Sequence, residues 1–201
     1  VLMLVPSFVT NVWQGLVGGH LRALLKRLWS MFAAALVCIW LASAALVSAD
    51  PKHLAMLLGA LLVVYAGLAL VTPQVPPPGR REVWLTPIIG ALTGLGAGVT
   101  GSFVVPAVLY LQAMGLRRDE LIQAMGLSFT IATLGVAAAM QGRGLLPAEG
   151  VALSAAALVP AAIGMIIGQR VRRHLPEAAF RRVFFIALLV MGLYIIARAL
   201  I

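Results

Sequence analysis

The residues best suited to chemistry are the glycines, hydroxyls and proline of one apolar stretch, GALTGLGAGVTGSFVVPAVLYL (90–111). Glycine and proline disfavour helices, so this stretch predicts an interruption in a membrane segment. Backbone N–H groups freed at such a break can bind anionic groups near the middle of a bilayer, and neighbouring hydroxyls add donors. Close helix packing through small residues is the alternative. The predicted substrate site consists of Gly94, Gly96, Gly98, Thr100, Gly101, Ser102 and Pro106, with Pro106 opening a second half-helix.

Two other apolar segments also carry polar residues. Asn11 and Gln14 are three residues apart and therefore share one helix face. An amide inside a membrane is costly without a partner, so these side chains bind either a substrate or a neighbouring helix. The sequence does not decide between these two roles. Gln112 and Gln123 are expected near the membrane–water interface, in contact with water. The hydroxyl candidates for the site in the later segment are Ser128, Thr130 and Thr133.

Groups for acid–base or metal chemistry do not occur inside the apolar segments. The six acidic residues and the three histidines all fall in loops or at segment ends. Intramembrane proteolysis would need paired aspartates, a Ser–His pair or a zinc motif within the bilayer, and the sequence has none of them. Cys38 is the single cysteine, so no disulfide is expected. We therefore predict that the protein is not an enzyme and has no catalytic residues, metal or cofactor.

Composition indicates that membrane helices carry these residues. Of the 201 residues, 62% are hydrophobic and 10% are charged, and the mean hydropathy is +1.05. Several uncharged windows reach about 20 residues, the length that crosses a bilayer. The net charge of +9 comes from loop Lys and Arg and does not indicate nucleic-acid binding. The predicted fold is an all-α, polytopic helical membrane protein with segments A (1–19), B (28–49), C (54–73), D (83–114), E (121–141), F (148–169) and G (179–201).

Segment D is too long for one straight crossing, and the loop charges indicate how it is arranged. If D crosses once, seven basic residues lie on the inner side and eight on the outer side, against the positive-inside rule. If D enters and returns to the same side, twelve lie inside, and only Lys52, Arg143 and Arg198 lie outside. The charge distribution therefore predicts a broken, Gly-rich helical hairpin over residues 83–114.

With D as a hairpin, segments A, B and C run opposite to E, F and G, which predicts an inverted-topology repeat. The predicted units are the remainder of a first repeat (1–73), a cytoplasmic linker (74–82) and a second repeat (83–201). The segments ALLVV (60–64) and ALLVM (187–191) match at an offset of 127 residues. Since the second repeat opens with a hairpin, we expect a matching hairpin of roughly 40 residues upstream of Val1.

The stretch GALTGLGAGVTGSFVVPAVLYLQAMGL, followed by AMGLSFTIATLG, resembles the sulfite exporter TauE/SafE family. The opening LVPSFVTNVWQG is similar to the first-half counterpart of segment E in that family. The resemblance covers essentially the whole chain; it departs from the family at Ala97 and Val99, where glycines are frequent, and in the missing first hairpin. It implies movement of small sulfur-containing or carboxylated anions across the bacterial inner membrane.

The expected function is therefore a secondary transporter or exporter of small anions such as sulfite, organosulfonates or related carboxylates. The expected partners are the lipid bilayer and the anionic substrate, without nucleic acid. Alternating access between the inverted halves is the expected mechanism. The alternative is a membrane-embedded accessory subunit that transports nothing by itself, and a channel fits the broken helix less well.

Overall fold

The computed structural model describes residues 4–48, 50–71, 76–101, 103, 106–144, 148–173 and 177–200, and all regular structure in these residues is helical. Ser102, one of the predicted site residues, lies outside the described residues. The helices are α1 (Leu4–Leu16), α2 (Leu21–Ser48), α3 (Pro51–Val71), a 3₁₀ turn (Gly79–Arg81), α4 (Glu82–Thr100), α5 (Ala107–Ala113), α6 (Arg118–Gly142), α7 (Ala148–Ala156), α8 (Leu158–Arg173) and α9 (Glu177–Leu200).

Five of the described helices are long and apolar enough to cross a membrane: α2, α3, α4 with its preceding turn, α6 and α9. Their outer surfaces are rich in exposed Leu, Val, Ile and Trp, as lipid-facing surfaces must be. The all-α, polytopic membrane fold is therefore confirmed. Predicted segment F (148–169) divides at Ala157 into α7 and α8, three residues before Pro160, whose missing N–H removes a helical hydrogen bond.

Segment D forms the predicted broken hairpin. Helix α4 runs from Glu82 to Thr100, and the short helix α5 then returns along it. The hydroxyl of Tyr110, in the middle of α5, lies 2.6 Å from the hydroxyl of Thr86 and 3.4 Å from the carbonyl oxygen of Glu82. Both of those residues belong to the first turns of α4. The chain after α5 therefore comes back to the end of the bundle from which α4 starts.

The contacts between helices fix their relative directions. Gly90 and Gly98 of α4 lie against Met31 and Ile39 of α2, a constant separation of 59 residues, so α2 and α4 are parallel. Helix α6 is parallel to them, because Gly135 near its middle contacts Leu36 and Arg143 beyond its end binds Ser43. Helix α1 runs the opposite way along α6. This arrangement gathers the starts of α2, α4 and α6 at one end of the bundle.

Helices α3 and α9 pack against each other in opposite directions. Gly59 packs on Gly192, and the rings of Tyr65 and Phe185 meet edge to face at 5.4 Å. The division of the chain into two repeats at residues 73 and 83 stays a prediction.

An ion pair joins the starts of α2 and α4. The Nε and Nη2 atoms of Arg27 donate to the two carboxylate oxygens of Glu82 at 2.6 and 2.8 Å. Such a two-point contact is stronger than a single surface ion pair, although partial exposure and dissolved salt weaken it. It fixes the entry of the hairpin against α2.

Replacing Glu82 with glutamine is expected to lower the free energy of unfolding by about 1 kcal/mol at low salt and by less at high salt. Thermal unfolding of the detergent-solubilised protein at two salt concentrations measures the difference. Asp119→Asn is the matched control, because Asp119 is exposed and forms no ion pair in the described part of the chain. Equal effects of the two substitutions, or no salt dependence, would contradict a stabilising role for the pair.

Candidate functional site at the broken helix

Three glycines of α4 form its contact with α2. Gly90, Gly94 and Gly98 recur every fourth residue and are all buried. A Cβ atom at Gly94 would collide with the carbonyl oxygen of Ala35, and one at Gly98 would lie 2.7 Å from the carbonyl oxygen of Ile39. These glycines therefore allow two helix backbones to touch, which is the packing alternative left open by the sequence. Substrate contact at Gly94 and Gly98 stays a prediction.

The break itself is built by Gly101 and Pro106. Gly101 ends α4 with a φ of 71°, a left-handed conformation that glycine adopts without strain. Its N–H donates to the carbonyl of Ala97 at 2.8 Å, which closes the last turn of α4. Pro106 directly precedes α5, and its carbonyl accepts the N–H of Tyr110. The break therefore occurs where the sequence predicts it, and Pro106 opens the second half-helix as expected.

The hydroxyls of the predicted site are engaged within their own helices. Thr100 Oγ1 donates to the carbonyl of Gly96, and Thr130 Oγ1 to that of Gly126, each at 2.7 Å. Ser128 Oγ donates in the same way to the carbonyl of Ala124. These bonds satisfy the hydroxyls without a ligand. A bound anion would have to draw the hydroxyl hydrogens away from those carbonyls.

Thr133 differs from these residues. It is 2% exposed, and its hydroxyl has no hydrogen-bond partner among the described residues. It lies two helical turns after Gly126, on the stripe of α6 that faces α1, and one turn after Phe129. The Phe129 ring contacts the ring of Phe103 in the break at 5.9 Å. Thr133 therefore lies on the side of α6 between α1 and the broken segment.

Asn11 and Gln14 lie where α1 packs on α6. A Cβ atom at Gly126 would lie 2.7 Å from the Cβ of Gln14, and one at Gly15 would lie 3.2 Å from the backbone nitrogen of Leu127. Asn11 is one turn before Gly15, and Thr130 is one turn after Gly126. Because the two helices are antiparallel, Asn11 and Thr130 lie at the same level of this contact. The structure thus places Asn11 and Thr130 at one level, one turn from Thr133, whereas Ser128 lies on the opposite face of α6, toward α2 and α4.

A small cavity of about 20 Å³ lies between the break and α6. Thr93, Phe103, Ala107, Ser128 and Phe129 are among the residues that line it. A space of this size holds about one water molecule. The hairpin is therefore closed onto α6 in this conformation, and an anion of several heavy atoms enters only if the two separate.

The prediction that Gln123 contacts water near the membrane interface is wrong. Gln123 is fully buried. Its amide oxygen accepts the N–H of His20, and its amide nitrogen donates to the carbonyl of Gly15, both at 2.9 Å. It thereby ties the Gly-rich turn between α1 and α2 to α6. The signal in the sequence was that turn, Gly15 to Gly19, whose backbone groups need partners outside a helix. Gln112 is exposed as expected.

Comparison with known proteins identifies the fold that holds this site. The model of the family described as sulfite exporter TauE/SafE matches residues 1–195 of the chain. The chain belongs to the TauE/SafE family. No curated protein and no solved structure matches the chain significantly. Members of this family are membrane transporters of the sulfite-export type, which agrees with the apolar membrane-spanning helices described above.

In this TauE/SafE chain, the end of the bundle where α2, α4 and α6 start is strongly polar. The backbone N–H of Arg117 donates to Glu120, which caps the start of α6, and the two side chains also pair at 2.9 Å. This hydrogen bond raises the pKa of the Arg117 guanidinium above its ordinary value. His20 lies 3.8 Å from the same carboxylate. Charge at this end of the bundle is held by short-range pairs between residues at the starts of the helices.

Proposed function

We propose that this protein is a secondary transporter that exports small anions, namely sulfite, organosulfonates or related carboxylates, across the bacterial inner membrane. The proposal is supported most by the break at Gly101–Pro106, because a broken helix inside a bundle frees backbone groups for a ligand. Membership of the TauE/SafE family supports the same class of cargo.

The proposed binding site lies between α1, the break and α6. The Thr133 hydroxyl is buried without a hydrogen-bond partner, which is unfavourable. A bound anion would supply the missing acceptor and remove this cost. Asn11 and Thr130 contribute donors around Thr133, the Thr130 hydroxyl by exchanging the carbonyl of Gly126 for the anion. This exchange keeps the number of hydrogen bonds constant, so binding need not cost much stability.

Transport in this proposal requires the hairpin to separate from α6, since the space beside the break holds only about one water molecule. Entry from the polar end and exit at the opposite end would alternate as α6 moves relative to the hairpin and α2. The ion pair Arg27–Glu82 keeps the entry of the hairpin on α2 throughout. No acid or base inside the membrane is needed for this cycle.

Replacing Thr133 with valine is expected to weaken sulfite binding by about tenfold, because one hydrogen bond to a charged ligand is lost. The same change is expected to leave the free energy of unfolding unchanged or to raise it, because it removes a buried hydroxyl without a partner. Sulfite-dependent shifts in thermal unfolding measure the binding, and the ligand-free transition measures the stability.

The matched control for this prediction is Thr10→Val. The Thr10 hydroxyl is satisfied within α1 by the carbonyls of Pro6 and Ser7, so its loss should not change sulfite binding. Unaltered sulfite binding by Thr133→Val would exclude Thr133 from the site. Stabilisation of the wild-type protein by none of sulfite, a short alkylsulfonate or a dicarboxylate would contradict the proposed cargo.

A further inference from the structure

A second cavity, distinct from the one beside α6, lies on the other side of the hairpin. It measures about 340 Å³ and is walled by α3, the linker, α4 and α5. Leu68, Pro78, Leu85, Ile89, Leu109 and Ala113 form most of its lining. This volume falls in the range of small-molecule sites, roughly 300–1,000 Å³. The space is thus large enough for a ligand, unlike the cavity beside Ser128.

The chemistry of this cavity suits a hydrocarbon. Its lining is almost wholly apolar, and the one hydroxyl in it belongs to Tyr110. That hydroxyl is already bonded to Thr86 at 2.6 Å. The cavity therefore offers a small hydrophilic anion no free polar partner, and such an anion would lose its hydration without compensation. An alkyl chain would instead exchange water or a void for apolar contacts.

A free cation lies in line with the same cavity. Pro78, Arg81, Leu85 and Ile89 are spaced by three, four and four residues, so they follow one stripe along the 3₁₀ turn and α4. Arg81 is exposed and forms no ion pair in the part of the chain that the structure describes, in contrast to Arg27. Arg80 beside it is also exposed. The apolar lining therefore continues directly into a positively charged mouth at the polar end of the bundle.

We propose that this cavity binds one acyl chain of an anionic phospholipid, whose phosphate is held by Arg81 with additional charge from Arg80. Basic residues next to apolar clefts on the cytoplasmic side are typical binding sites for anionic lipid headgroups. The surrounding bilayer supplies such a lipid at high local concentration. The occupant lies between α3 and α5, so it also supports the seven-residue α5 and, through Pro106, the closed position of the hairpin.

The headgroup contact is tested by adding dioleoyl phosphatidylglycerol or dioleoyl phosphatidylcholine to the full chain in detergent and following thermal unfolding. Phosphatidylglycerol is expected to act at lower concentration than phosphatidylcholine. Arg81→Gln should raise the half-saturating concentration of phosphatidylglycerol about fivefold and that of phosphatidylcholine by less, because the choline cation offsets the charge of its phosphate. Arg22→Gln is the control, because it removes the same charge at the same end, on α2. Equal effects of the two variants, or equal action of the two lipids, would overturn the proposal.

The acyl-chain contact is tested by filling the cavity. Leu68→Trp adds bulk from the α3 wall, where Leu68 is half exposed and leaves room for the larger ring. This variant should lose most of the stabilisation by both lipids, whereas Leu70→Trp on the same helix, outside the lining, should keep it. Full lipid response in Leu68→Trp would refute the cavity as the binding site. Both tests read lipid binding alone, so their result is independent of whether the protein transports sulfite.

Discussion

Replacing Gly94 with alanine is expected to lower the free energy of unfolding by about 1–3 kcal/mol, and Gly94→Leu to prevent folding. The added Cβ would collide with the backbone carbonyl of Ala35, and neither helix can move without loosening the contacts of Gly90 and Gly98. Because the added Cβ would meet backbone atoms, no side chain can change its rotamer to make room for it. Thermal unfolding of the detergent-solubilised protein measures the loss.

Gly67→Ala is the matched control for Gly94→Ala. Gly67 lies inside α3, another membrane helix, and a Cβ atom there would meet nothing within 4 Å. Alanine also favours helix more than glycine does, so this variant should be as stable as the wild type or slightly more stable. If Gly94→Ala unfolds at the wild-type temperature, the close packing of α4 on α2 is not what holds the hairpin in place.

Replacing Gln123 with leucine is expected to cost about 2–5 kcal/mol, because two buried backbone groups lose their partners at once. The N–H of His20 and the carbonyl of Gly15 would face an apolar side chain of similar size. The turn between α1 and α2 would then detach from α6. Thermal unfolding measures the loss, and faster proteolysis in the turn 17–19 would report the detachment.

Gln112→Leu provides the control for this second prediction. Gln112 is exposed on α5, so the same substitution there should change the free energy of unfolding by no more than about 0.5 kcal/mol. Equal stability of the Gln123 and Gln112 variants would contradict the proposed role of Gln123 in holding the turn between α1 and α2 on α6. A loss in both would point to a general effect of removing an amide from the membrane surface.

The broken hairpin could be predicted from the sequence because loop charge reports topology independently of helix propensity. The loop charges agree with the positive-inside rule only if segment D returns to the side it left, which places twelve basic residues on that side. In the structure, Tyr110 of α5 does reach Thr86 near the start of α4. Gly101 and Pro106 mark the ends of the break for a local reason. Gly101 adopts a positive φ without strain, and Pro106 has no N–H that could donate to a carbonyl of a preceding helical turn.

The roles of the individual glycines could not be predicted as fully. A glycine in a membrane helix admits either a ligand or a neighbouring backbone, and composition does not distinguish the two. The four-residue spacing of Gly90, Gly94 and Gly98 favours a helix partner, yet only the contact with α2 identifies it. Gln123 was misjudged for a related reason. Its position in the second turn of α6 suggests water, but the Gly-rich turn before α2 covers it.

Sulfite efflux from proteoliposomes that contain the full chain tests whether the hairpin and α6 bind and move small anions. The wild-type protein is expected to release loaded sulfite with saturable kinetics. Thr133→Val should reduce this efflux at sub-saturating sulfite by about tenfold, whereas Thr10→Val should not reduce it. Absence of efflux from folded wild-type protein, for sulfite as well as for a short alkylsulfonate and a dicarboxylate, would contradict the account. That result would favour an accessory membrane subunit instead.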